Sequence, residues 1–291
     1  MKNSSVLIVG CGDIGIRTGG LLKGQGWDVA GVRRDTSKLP AEFVAYAANY
    51  TESGSLDFIA QSAPDFVLAT FNPVDRTEAG YKAGFQNAMS HLISGLGPHR
   101  PRHILMASST RVFAEARGGW VDDDSPLTDD DPCALAIIAA EQQLLASGHN
   151  ASVVRFAGIY GIPGSRLMSR VRSGELCQPE PVSYTNRIHR DDCAGFLTHL
   201  LQLVDVGKTI APLYIGVDDE PAPRYDVEAW LAGAMGLEVR PRKRLPASVD
   251  QSTGRGGKGH KRCRNKGLHN SGYKLIYPDY KSGYNALLAQ N

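Results

Sequence analysis

The hydrophobic positions of this chain gather into short continuous runs separated by amphipathic stretches. Val6-Leu7-Ile8-Val9 is the first run, apolar at successive positions as a strand buried on both faces requires. Trp27–Val32, Phe43–Ala47, Asp65–Ala69, His103–Ala107 and Ser152–Phe156 repeat the pattern. Between them Ile16–Leu22, Gly80–Gly95 and Ala134–Ser147 read as helices, the second with Phe85, Met89, Leu92 and Ile93 at near-helical spacing. Strands alternating with helices in this way predict an α/β fold, a Rossmann-type doubly wound parallel sheet. Its crossovers place every strand's carboxyl end, and the ligand crevice, on one edge.

Past residue 160 the rhythm changes. Gly161-Ile162-Pro163-Gly164 is a turn, Leu167–Gly174 a short helix, and Asn186–His189 an extended stretch. Asp191 is placed to cap a helix over Asp192–Leu203, followed by a strand at Pro212–Gly216 and a helix over Asp226–Met235. The expected organisation is a dinucleotide-binding core over 1–160 and a smaller C-terminal substrate lobe over 161–291, interleaved with the core. Residues 250–272, rich in Gly, Lys and Arg, predict a long basic loop that is mobile in the free protein and closes over bound substrate.

The first strand breaks into Gly10-Cys11-Gly12-Asp13-Ile14-Gly15, the Gly-x-Gly-x-x-Gly spacing in a strand–turn–helix context. Gly10 allows the tight turn, Gly12 lets backbone amides approach a pyrophosphate, and Gly15 lets the helix pack on the strand. The helix N-terminus adds a positive dipole end. About twenty residues on, where a carboxylate would bind the ribose hydroxyls of NAD(H), the chain has Arg33-Arg34, which suit a 2′-phosphate by charge and geometry. NADP(H) is therefore the expected cofactor, with NAD(H) the alternative.

Composition narrows the class. Hydrophobic residues make up 42% and charged residues 21%, the balance of a soluble domain, and no apolar run approaches membrane-spanning length. Five scattered cysteines with no Cys-x-x-Cys pair indicate a reducing, cytoplasmic setting and no zinc site. The triplets Asp122–Asp124 and Asp129–Asp131 lack EF-hand spacing, so a solvated loop is expected there and no metal. The net charge of +2 hides a tract, 240–274, with eleven Lys or Arg against Asp250 alone. An anionic small substrate fits that tract better than nucleic acid, since no recognition module accompanies it.

The order of several motifs resembles the extended and atypical short-chain dehydrogenase/reductase proteins of the NAD-dependent epimerase/dehydratase-like branch. These are the glycine loop, Asn49, Asn87, Ser108-Ser109-Thr110 with Val112-Phe113, Arg155–Gly161 and Asn186–Asp192. The resemblance implies a Rossmann core with a substrate lobe, a homodimer built on two core helices, and Asn49 at the adenine. It implies that Ser109 and Thr110 orient the reacting carbonyl or alcohol. Arg111, Tyr160, Arg187 and His189 are the candidate substrate-binding residues. Two departures stand out. Val9 replaces the first glycine of the wider-spaced family loop, and the family's Tyr-x-x-x-Lys positions hold Cys133 and Ile137. An isoleucine supplies neither charge nor ribose hydrogen bond. Tyr81, Tyr160 and His189 remain as replacement acids. The expected function is an NADP(H)-dependent oxidoreductase or epimerase/dehydratase-like protein acting on a small anionic substrate. The alternative is a non-catalytic dinucleotide sensor.

Overall fold

The computed structural model describes residues 3–238, 240–241 and 259–289. Seven strands form one parallel sheet: Ser5–Val9, Asp28–Arg33, Val44–Ala47, Phe66–Ala69, His103–Ser109, Ala151–Phe156 and Leu213–Gly216. Numbered in that chain order, they lie side by side as 7-6-5-4-1-2-3, so the order reverses beside the first strand. That reversal opens the crevice at the carboxyl edge, where the glycine loop sits.

Alternate residues of the strands, apart from the largely exposed edge strand Val44–Ala47, feed two cores, as the period-2 pleat dictates. Leu7, Val9, Val67, Ile104 and Met106 pack on one face with Met89, Leu92, Ile137 and Leu144. Those partners come from the helices Ala88–Leu96 and Pro132–Leu145. Ile8, Phe66, Leu68, Leu105 and Val154 pack on the other face with Leu22, Phe196, Leu197 and Leu200. Those come from the helices Asp13–Lys23 and Arg190–Asp205. The chain thus re-enters the core after residue 160, contributing both a covering helix and the seventh strand.

A third cluster builds the small lobe from Met168, Val171, Leu176, Val227, Leu231, Tyr280, Tyr284 and Leu287. Its closing helix, Tyr280–Leu288, has no counterpart in the sequence expectations. Its signal was present: Asp279 and Ser282 form a reciprocal capping box directly after Pro278.

Three expectations need correcting. The helix read as starting at Asp192 starts at Arg190, and its cap is His189, whose Nδ1 accepts the Asp191 amide at 3.2 Å. An imidazole nitrogen serves as acceptor there in place of the expected carboxylate. The helix read over Gly80–Gly95 is three pieces: an α turn Glu78–Tyr81, a π-helical stretch Lys82–Asn87, and the α-helix Ala88–Leu96. Finally, 259–272 is not one continuous loop. Arg262–Cys263 pairs in parallel with Trp120–Val121, and Lys266–Asn270 is a short helix whose Leu268 is buried in the core. The ladder supplies backbone partners that composition could not foresee. The preceding stretch, 250–258, lies outside the described residues. Among the described residues no helix is long and apolar enough to cross a membrane.

Candidate dinucleotide and active site

Gly10 adopts φ +81°, and a Cβ there would stand 2.7 Å from the carbonyl oxygen of Thr70. The turn therefore admits glycine alone, and Thr70 Oγ1 fixes it by donating to the Gly10 carbonyl at 2.9 Å. A Cβ on Gly15 would come within 2.9 Å of Ile8 Cγ2, so the helix is seated directly on the first strand. Gly12 is the N-cap of helix Asp13–Lys23 and brings no side chain to its amides. An N-terminus left open in this way is a ready anion site. Asp13, which would repel a phosphate, is matched by Arg17 at 3.2 Å and Arg190 at 3.4 Å. Cys11 is buried beneath the loop, and burial pushes its thiol up to about 12. It is a packing residue. Ile14 is partly buried against the same core as Ile8.

A cavity of about 300 Å³ opens beside the loop, lined by Gly10, Cys11, Gly12, Arg33, Arg34, Asp35, Lys38, Asn49, Tyr50, Thr51 and Asn72-Pro73-Val74. Most of the residues expected around a cofactor thus meet in one place. Arg33 is held at the loop by a bond from Nη1 to the Cys11 carbonyl at 3.2 Å. Asp35 accepts from Ser37 Oγ at 2.6 Å and pairs with Lys38 at 3.4 Å. Those bonds hold its carboxyl below the usual range. Among the described residues, no carboxylate pairs with Arg33 or Arg34. Asn49 faces the cavity with its amide engaged locally, donating to Glu52 at 2.7 Å and accepting from Thr51 Oγ1 at 2.9 Å. Lys38, Tyr50 and Asn72–Val74 were not singled out from the sequence. Only their position after the second, third and fourth strands could have marked them.

At the end of the fifth strand, Ser109 Oγ caps a short 3₁₀ turn, Thr110–Val112, by accepting the Arg111 amide at 3.2 Å. Arg111 does not stand as an open anion anchor. Its guanidinium makes a bidentate pair with Asp131 at 2.8 and 2.9 Å, and Nη1 donates to Tyr81 Oη at 3.2 Å. Asp131 in turn caps the helix that carries Cys133 and Ile137. Cys133 is half-buried, and Ile137 is buried in the core. Behind the strand end, Ser108, Glu141 and Arg155 form a buried network, with Ser108 Oγ donating to Glu141 at 2.5 Å.

Lys261 reaches this turn from the far end of the chain. It is buried, and Nζ donates to the carbonyls of Thr110 at 3.2 Å and Phe113 at 3.3 Å. Burial lowers its pKa. Asn186 holds the same segment from the other side, donating to the Lys261 carbonyl at 2.9 Å and accepting the Cys263 amide at 2.8 Å. No sequence motif marked Lys261; it lay in a tract read as mobile.

Tyr160, Arg187 and His189 all lie buried at the base of the small lobe. Tyr160 donates to the Asp279 carbonyl at 3.4 Å, and His189 lies between Tyr160 and Tyr277, with ring centroids 5.2 and 4.1 Å away. Arg187 stacks on Tyr280 beside the buried Asp218, and among the described residues its Nη1 has no hydrogen-bond partner. Burial pushes Asp218 up to about 8, against the pull of Arg187.

No protein-family model matches the chain. A solved structure from Methylobacillus flagellatus, provisionally described as an NAD-dependent epimerase/dehydratase, is 31% identical, with 99% of each chain covered and a TM-score of 0.81. The Escherichia coli K12 protein YeeZ is 27% identical over 94% of this chain and 96% of its own length. Human epimerase family protein SDR39U1, solved with NADPH, shares the fold at 20% identity, 99% coverage of each chain and a TM-score of 0.74.

Proposed function

This chain belongs to the NAD-dependent epimerase/dehydratase family, and we propose from that premise that it is an NADP(H)-dependent oxidoreductase or epimerase/dehydratase-like enzyme acting on a small anionic substrate. The observation that carries the cofactor choice is the placement of Arg33 and Arg34 in the same cavity as the glycine loop, free of any carboxylate partner among the described residues. A guanidinium pair matches a 2′-phosphate, whereas NAD(H) would want a carboxylate on its ribose.

The residues present fit such a cofactor. The open amides at Gly12–Ile14 would take the pyrophosphate, Arg33 and Arg34 the 2′-phosphate, and Asn49 with Tyr50 the adenine side of the cavity. Bound there, the nicotinamide would supply or accept hydride at the carboxyl edge. Ser109 and Thr110 would orient the reacting oxygen. Arg111 is neutralised by Asp131 and Lys261 is buried on two carbonyls, so the anionic-substrate reading draws on the basic composition of 240–274. A second reading, a dinucleotide sensor without turnover, draws on Ile137, whose buried side chain cannot replace a lysine. Calorimetric titration with NADP(H) and NAD(H), followed by a screen of carbonyl substrates with NADPH, tests the proposal. Equal affinities at low salt would refute the cofactor choice, and binding without any turnover would favour the sensor.

A further inference from the structure

Of the three side chains weighed as replacement acids, the fold withdraws two. Tyr160 and His189 are buried in the small lobe, the first bonded to the Asp279 carbonyl and the second used as a helix cap. Tyr81 is different. It is half-buried at the carboxyl edge and ends the turn Glu78–Tyr81. The neighbouring Gly80 carbonyl accepts the amide of Val74, a wall residue of the dinucleotide cavity, at 3.0 Å. A Cβ on Gly84 would stand 2.3 Å from the Asn72 carbonyl oxygen, so the following turn is pressed onto the same wall. The chain accommodates that contact with the π-helical stretch Lys82–Asn87, an irregularity that recurs at functional sites.

The hydroxyl of Tyr81 is paired with a cation. Arg111 Nη1 donates to Oη at 3.2 Å, and its guanidinium carbon lies 5.0 Å from the ring centroid. Arg111 cannot swing away, because Asp131 holds it bidentately. A guanidinium donating to a phenolic oxygen fills one of its acceptor positions and leaves the O–H hydrogen to be given elsewhere. It is a tyrosine with a fixed cation, assembled from elements outside the helix that carries Cys133 and Ile137.

We propose that Tyr81 is the proton donor of a carbonyl reduction at this edge, with Arg111 holding the charge it leaves behind. The inference rests on the NADP(H) reading above. The carbonyl carbon of a small ketone or aldehyde receives hydride from the reduced nicotinamide, which is the reductant. The π pair of the C=O bond moves onto oxygen, and that oxygen takes the Tyr81 proton. The phenolate regains a proton from solvent at its exposed side. In the reverse direction the same phenolate accepts the alcohol proton.

Crystals of the full chain with NADP⁺ give the readout that needs no substrate. Tyr81 Oη should lie about 5 Å from nicotinamide C4, the spacing that admits a carbonyl at near-attack distance from C4 and within hydrogen-bond reach of the phenol. In an NADPH oxidation assay over a panel of ketones and aldehydes, Tyr81→Phe should lower kcat by about 10²-fold or more. Its NADPH affinity should stay within about threefold of the parent, since the phenol plays no part in holding the diphosphate. Arg111→Lys should retain more of kcat than Arg111→Met. A nicotinamide too far for a shared carbonyl overturns the proposal, as does a Tyr81→Phe variant that keeps its turnover. Should no panel member turn over, the distance in the complex decides alone. Failure to bind either dinucleotide would instead refute the cofactor reading itself.

Discussion

Arg155 meets Glu141 across 2.7 Å directly behind the carboxyl edge of the sheet, and both side chains are buried, at 6% and 3% exposure. Ser108 donates to the same carboxylate, and the Arg155 guanidinium lies 5.1 Å from the Phe113 ring centroid. The pair locks the end of the fifth strand to the sixth strand and to helix Pro132–Leu145. Breaking it from one side leaves an uncompensated buried charge, which costs about 3–5 kcal/mol. Glu141→Leu should therefore be strongly destabilised in urea unfolding, and adding Arg155→Met should recover much of the loss. Additive losses in the double variant would show that the two side chains act independently.

Arg33 and Arg34 should set the cofactor preference. The Arg33→Ala, Arg34→Ala double variant should bind NADP(H) and NAD(H) with similar affinity. The parent's preference for NADP(H) should shrink as salt rises, because the exposed phosphate–guanidinium contact is screened. Calorimetric titrations at two ionic strengths measure both effects.

Cys133 should be inert. Its amide is tied to Asp131 at 3.2 Å, and its thiol lies at the half-buried start of a helix. Cys133→Ser should change neither NADPH affinity nor turnover by more than a few-fold. Turnover that vanished in this variant, with a pH limb near a thiol's range, would make Cys133 the proton donor in place of Tyr81.

His103 should make the fold acid-sensitive. Ser152 donates to the Ala211 carbonyl at 2.7 Å, so His103 Nε2 is the donor to Ser152 Oγ at 3.0 Å, as in a neutral ring. Burial lowers its pKa to about 4 from the ordinary 6.5. The folded pKa is depressed, so below pH 6.5 the unfolded chain binds the proton more readily. Stability is lost as pH falls from 6.5 towards 4. The cost should reach about 2 kcal/mol at pH 5. His103→Gln should remove that component, read as a smaller change in urea midpoint between pH 7 and pH 5 than in the parent. An equal change in both proteins would show that His103 does not titrate in this window.

Lys261 should anchor the C-terminal segment. Lys261→Met removes a buried donor from the Thr110 and Phe113 carbonyls, a loss of about 1–3 kcal/mol. Amide exchange over 259–264 should accelerate in the variant. In the parent, limited proteolysis should spare 260–270, whose backbone is paired with Trp120–Val121 and Gly119.

What the sequence determined by itself is what depends on neighbours a few residues away. Continuous apolar runs at 6–9, 66–69 and 104–106, short and bounded by turn residues, read as strands buried on both faces, and the glycine spacing at 10–15 suits a tight turn between a strand and a helix. With the alternation of elements, these were enough for the sheet and for the edge on which the dinucleotide cavity lies. Arg33 and Arg34 were legible too, because their place is fixed by distance from the glycine loop along a single helix and strand. Tertiary structure decided the rest, since burial and pairing depend on groups remote in the chain. Nothing local told that Asp131 would take Arg111, or that Tyr160 and His189 would be sealed in the lobe while Tyr81 stayed at the edge. Lys261 meets Thr110 across 151 positions of sequence. Its tract, read by composition as a mobile loop, gains order at 259–264 from a backbone ladder and from the Asn186 amide. Those partners come from other parts of the chain, and only folding brings them within hydrogen-bond range.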